Sequence, residues 1–134
     1  MKCLMTVLCV TVAVLFSACS KKVDGDQLEQ KDDLMYFKGE PFTGIAAGKH
    51  QSDGTKWEGT FKDGKPDGLW TEWHKNGLKK LEQTNKDGKP DGLRTLWYLN
   101  GQKSHETTYK DGKEISINEW DEEGTPKKPY ARAD

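Results

Sequence analysis

GKPDGLWTEWHKNGLKKLEQTNKD at 64–87 is followed at once by GKPDGLRTLWYLNGQKSHETTYKD at 88–111, and the two agree at fifteen of twenty-four positions. The period is 24 residues, marked by Gly64, Gly88 and Gly112. A degenerate copy precedes them, from GEPFTG at 39–44 through His50 and SDG to TFKDG, and a truncated copy, GKEISINEWDEEG, follows at 112–124. Atypical end copies are expected of a repeat array, because each end unit must cap the stack.

Each unit carries two turn signals. Asp53-Gly54, Asn76-Gly77, Asn100-Gly101 and Glu123-Gly124 mark one, and Asp63-Gly64, Asp87-Gly88 and Asp111-Gly112 the other. Asn-Gly and Asp-Gly supply the positive φ angles of tight hairpins. The glycines fall 10 to 13 residues apart, which leaves strands of roughly six to eight residues. Pro66 and Pro90 stand in KPDG, where Pro at the second and Gly at the fourth place fit a type I turn. The predicted fold is all-β, an elongated antiparallel meander of repeated hairpins in one layer or weakly curled.

Alternation within the strands gives two faces. Leu69, Thr71 and Trp73 lie on one and Trp70, Glu72 and His74 on the other; the next unit repeats this with Leu93, Thr95 and Trp97 against Arg94, Leu96 and Tyr98. Trp73, Trp97 and Trp120 each stand four residues before a turn glycine and are predicted to form a row, with His50 holding that place in the first copy. Phe61, Asn85 and Tyr109 recur three residues before the second glycine. Residues 19–134 contain only fifteen Leu, Ile, Val or Phe, so the aromatics carry much of the burial.

Outside the repeats, residues 1–19 read MKCLMTVLCVTVAVLFSAC: one basic residue, an apolar run, then small residues before Cys19. This is a secretory signal, and the run falls short of the roughly 20 apolar residues of a membrane span. Phe16-Ser17-Ala18-Cys19 resembles the bacterial lipobox, which implies cleavage after residue 18 and diacylation of Cys19. The competing reading is an ordinary signal peptide cut nearby. Two acyl chains would anchor the protein stably. By the same resemblance, Ser20 rather than Asp points to the outer membrane, facing the periplasm. Residues 19–33 have few apolar residues and no period, and read as a flexible tether; residues 34–124 form the repeat domain and 125–134 a tail.

GEPFTGIA, SDGTKWEGTFKDGKPDGLWTEW and NGLKKLEQTNKDGKPDGLRTLWYLNGQKSHETTYKDGK resemble the MORN repeat variant found in bacterial YwqK-type antitoxins, over roughly residues 34–124. The resemblance implies an elongated sheet of hairpins, no enzymatic activity, and one of two tasks: a scaffold for protein contacts or neutralisation of a toxin. An exported, lipidated chain favours the former, as a membrane-anchored protein-binding module of the cell envelope; the alternative is an antitoxin or immunity protein.

Composition removes other classes. Without residues 1–18, which hold Lys2 and no acid, the chain has 20 basic and 22 acidic residues and two arginines, which disfavours nucleic-acid binding. Its cysteines, Cys3, Cys9 and Cys19, all fall in the first nineteen positions, so the remainder can form no internal disulfide or cysteine-ligated metal site. His50, His74 and His105 lack zinc-site spacing. The acids flanking the turns, Asp63 and Asp67 or Asp87 and Asp91, are interleaved with lysines and suit turns better than calcium. No nucleophile–base motif or phosphate-binding loop is present, so no cofactor or metal is expected. Positions identical in both full units are read as scaffold, and those that differ as free to specify a protein partner. Trp70, His74, Arg94, Leu96 and Tyr98 are the candidate partner-binding residues, because Trp, Tyr and Arg dominate binding hot spots.

Overall fold

The computed structural model describes residues 21–128; Cys19 and the signal segment lie outside them. Eight strands form one sheet in the order β1 (Lys22–Asp24), β5 (Gly44–Lys49), β6 (Lys56–Lys62), β7 (Lys65–Trp73), β8 (Lys79–Lys86), β9 (Lys89–Trp97), β10 (Lys103–Lys110) and β11 (Lys113–Glu119). From β5 onward this is the antiparallel meander expected; β1 alone pairs in parallel, Val23 opposite Ala46.

The hairpins divide into two kinds. Asp63-Gly64, Asp87-Gly88 and Asp111-Gly112 have positive φ at both residues, near 50° and 80°, the two-residue turn whose twist matches its strands. At Asn76-Gly77 and Asn100-Gly101 only the glycine is positive. There the amide of Gly77 donates to the carbonyl of His74, and that of His74 to Leu78, closing a longer loop.

KPDG is not a turn. Pro66 lies inside β7 opposite Phe61, and Pro90 inside β9 opposite Asn85. The register slips beside each, at Gly59/Phe61 and Gln83/Asn85, so the motif is a bulge that bends its strand. Gly68 and Gly92 take φ of 113° and 111° there, which only glycine adopts without strain. The bulge also receives the next unit. The Gly88 amide donates to the Pro66 carbonyl at 2.8 Å, and the Asp87 amide to Asp67 Oδ2 at 3.1 Å. Gly112 repeats the bond on Pro90, and Gly64 makes it to Phe42, with Asp63 on Thr43 Oγ1. PFTG at 41–44 is thus the first copy of this acceptor site.

The segment expected as a tether is structured from Lys22 onward. After β1 come a 3-10 turn (Gly25–Gln27), β2 (Glu29–Lys31), β3 (Leu34–Phe37) and β4 (Glu40–Pro41). The last three form a small second sheet that shares the core at one end of the long sheet. That core is Val23, Phe42, Ala46 and Phe61, with Leu28, Met35, Phe37, Trp57 and Trp70 packed against it.

On the tryptophan face, the register lines up Ala47, Glu58, Thr71, Glu82, Thr95, Glu106 and Asn118 across seven strands. Beside this line, Trp73 lies opposite Lys56 and Lys79, and Trp97 opposite Lys103. The Lys79 ammonium sits 5.6 Å from the Trp97 ring centroid and that of Lys103 5.5 Å from Trp120, while the same two lysines pair with Glu82 and Glu106. His50 does not open this row. The first hairpin holds one extra residue, since His50 closes on Thr55 whereas His74 closes on Leu78 and Tyr98 on Gln102. Counting back from its glycine is therefore off by one, and Lys49, opposite Lys56, takes the row's first place.

Candidate interaction face

The face opposite the tryptophan row carries two register lines. One is Ala46, Gly59, Trp70, Gln83, Arg94, Thr107, Ile117; the other is Gly48, Trp57, Glu72, Leu81, Leu96, His105, Glu119. At the β5–β7 end this face is core. Trp57 and Trp70 stack with centroids 5.0 Å apart and planes at 4°, and Phe61 meets Trp70 edge-on at 6.1 Å. Glycines opposite the indoles make the room. A Cβ on Gly59 would lie 2.3 Å from Trp70 Cε3, and one on Gly48 would lie 3.2 Å from Trp57.

Glu72 marks the border of this core. Its Oε1 accepts from Trp70 Nε1 at 3.1 Å and lies 3.5 Å from His50 Nε2, and its Oε2 lies 3.5 Å from Lys80 Nζ. Lys80 also approaches Asp53 at 3.9 Å. The Asp53 carboxyl is held below its ordinary value first by the Thr55 hydroxyl, at 2.7 Å, then by the Thr55 amide, with smaller help from Lys80 and His50.

Beyond Trp70 the apolar cluster ends. In the units that follow, the positions of Trp57, Gly59, Phe61 and Trp70 are filled by Leu81, Gln83, Asn85 and Arg94. Gln83 Nε2 donates to Asn85 Oδ1 at 2.6 Å. Among the described residues the Arg94 side chain makes no ion pair or hydrogen bond, and its Nε is buried without a partner.

The five candidate partner-binding residues therefore separate. Trp70, Arg94 and Leu96 share the face, with Trp70 already engaged in the aromatic stack. His74 and Tyr98 lie past the ends of β7 and β9 and tie units together. His74 Nε2 is 2.9 Å from the carbonyl of Trp97, which fixes it as the donor, and the Tyr98 hydroxyl donates at 2.9 Å to that of Trp120. Asn76 and Asn100 do the same to Leu99 and Glu122, each at 2.8 Å. Two different side chains perform one job at equivalent places, so variation between repeats hid a scaffold role. Sequence reasoning also missed Trp57 and the charged network around Glu72; the available signal was a glycine directly opposite each indole.

Among the described residues, no group of three or more His, Cys, Asp or Glu side chains is arranged to hold a metal ion. A cleft of about 900 Å³ at the hairpin ends is lined by Asp24, Asp26, Asp53 and Glu58 together with Lys49, Lys56 and Lys75, a surface of mixed sign. Compared with known proteins, the chain matches no family model, no curated protein and no solved structure.

Proposed function

We propose that this chain is a non-enzymatic protein-binding module of the bacterial cell envelope, lipid-anchored through Cys19 and belonging to the MORN-variant type of repeat. One observation carries the binding part of the reading. The two full units keep their hairpins, bulges and row tryptophans, while the opposite face changes from an aromatic core to the open set Leu81, Arg94 and Leu96. A scaffold that repeats while one face varies is the arrangement by which repeat proteins select partners. The half-buried Arg94 and Leu96, on the same face as the Trp57–Trp70 stack and two strands from Trp70, are of residue types that suit a contact surface, Arg being enriched in hot spots. The anchor rests on the residues before Ser20, which read as a signal and lipidation motif.

Crosslinking in intact membranes followed by mass spectrometry tests the binding reading: a specific protein partner is expected, lost when Arg94 and Leu96 are both replaced. Recovery of no protein, together with substrate turnover by the purified chain, would reject it. A toxin as the recovered partner would turn the reading to the antitoxin or immunity role. For the anchor, Cys19→Ser is expected to release the protein from the membrane fraction; undiminished pelleting would reject lipidation.

A further inference from the structure

We infer that the open part of this face takes an acidic, extended peptide segment of its partner, with a carboxylate seated on Arg94. The inference rests on the protein-binding reading and adds the chemistry of the ligand. Arg94 stands between Gln83 and Thr107 in the register, with Leu96 two residues along its own strand and Leu81 paired to Leu96. The residue is half-buried, with its Nε shut off from water and unpaired.

Every carboxylate in the two register lines is already engaged: Glu72 by Trp70, His50 and Lys80, and Glu119 by its approach to His105 at 3.9 Å. Among the described residues the Arg94 guanidinium has no ion-pair partner. A partly desolvated cation in that state is matched by a carboxylate brought from outside, which a guanidinium binds with two parallel bonds.

The surroundings choose between anions. A nucleic acid or other polyphosphate is held by several cations acting together. These two lines hold Arg94 and His105, and His105 faces Glu119. Around Arg94, beyond the polar Gln83 and Thr107 that flank it, stand apolar groups instead: Leu96 two residues along its strand and Leu81 opposite Leu96, both half-buried, and Ile117, exposed on the last strand behind Thr107. A peptide in extended conformation sends alternate side chains to one side, so acidic and apolar residues spaced by two would meet Arg94 and these leucines in turn. The same position in the preceding unit is Trp70, packed against the core, so the indole that closes the core there is exchanged here for a cation with no ion-pair partner among the described residues.

The test uses the full chain in detergent micelles and a random short-peptide library displayed on phage. Enriched peptides are then synthesised with a fluorophore and their binding measured by polarisation. Asp or Glu flanked by apolar residues is expected in the enriched set. Arg94→Gln is expected to weaken binding by at least about tenfold, whereas Lys79→Gln, a charge removed from the tryptophan face, changes it by less than about twofold. Arg94→Glu should shift preference to peptides carrying lysine. Weakening of wild-type binding by added salt gives a readout that needs no variant. Enriched peptides without acids that bind Arg94→Gln as well as wild type would overturn the inference and leave the protein-binding reading standing. Enrichment of no peptide overturns it too, and the protein-binding reading falls with it only if crosslinking in membranes also recovers no partner.

Discussion

Replacing Gly59 by alanine tests how the first repeat is built. The new Cβ would lie 2.3 Å from Trp70 Cε3 and 2.5 Å from Cζ3. Carbon atoms in contact prefer roughly 3.5–4.0 Å, so the indole would have to retreat by about 1 Å or more. It has little freedom to do so, because Trp57 stacks on it, Phe61 meets its edge and Glu72 holds its Nε1. Overpacking of this kind costs about 1–3 kcal/mol, and loss of the stack adds about 0.5–1.5 kcal/mol. Against this, alanine restricts the unfolded chain, an offset of about 0.4–1 kcal/mol. The net loss should be about 2 kcal/mol, a fall of about 8–16 °C in Tm for a domain of this size. Urea unfolding followed by tryptophan fluorescence, with thermal melts by circular dichroism, would measure it. Gly48→Ala, where the nearest Trp57 atom is 3.2 Å away, should cost under about 1 kcal/mol by the same reasoning. Trp70→Leu in the Gly59→Ala background should recover part of the loss, a coupling visible in a double-mutant cycle. A neutral or stabilising Gly59→Ala would refute the glycine–indole account.

Three more outcomes follow from the geometry. Gly68→Ala and Gly92→Ala place a side chain at φ of 113° and 111° and should each destabilise by about 1–3 kcal/mol in urea melts, whereas a turn reading of KPDG would not require glycine conformation in mid-strand. Tyr98→Phe removes the hydroxyl bonded to the Trp120 carbonyl; a loss of about 0.5–1.5 kcal/mol and faster amide exchange around Asp121–Thr125 are expected, and unchanged exchange would remove Tyr98 from the inter-unit contacts. The Asp53 carboxyl, lowered by the Thr55 hydroxyl and amide, has a folded pKa below its unfolded one. Its contribution to stability is therefore present above the unfolded value and disappears as pH falls through the folded one. Thr55→Val should raise its titration toward 3.8 in carboxyl NMR, since the largest cause is then gone.

Local chemistry made the repeat legible. Asp-Gly and Asn-Gly act through their own φ angles, so the period, the meander and the two faces could be drawn from residues 64–111. What depended on the neighbouring unit could not be. KPDG satisfies type I turn statistics, yet its Pro66 carbonyl is spoken for by Gly88 one unit later, and that bond holds it as a bulge. One extra loop residue before Thr55 moved His50 out of the tryptophan row. Val23 and Leu28 are too sparse to form a pattern, and only contact with Phe42, Ala46 and Phe61 shows that the supposed tether closes the core. On the candidate face, Arg94 and Leu96 stood out by their types. The scaffold bonds of His74 and Tyr98, to the Trp97 and Trp120 carbonyls, could not be read from sequence because they depend on hairpin ends brought together across 22 or 23 residues.

Order in this sheet passes from each unit to the next through the turn glycines, and residue-resolved hydrogen exchange on the native protein reads that transfer directly. The amides of Gly64, Gly88 and Gly112 donate to Phe42, Pro66 and Pro90, each in the preceding unit, at 2.8 Å. All three should be protected, with Gly64 and Gly88 exchanging only through large openings and Gly112, beside the edge strand β11, somewhat sooner. Exchange of Gly64 and Gly88 at the rate of an unstructured peptide, while strand amides within each hairpin stay protected, would contradict the account.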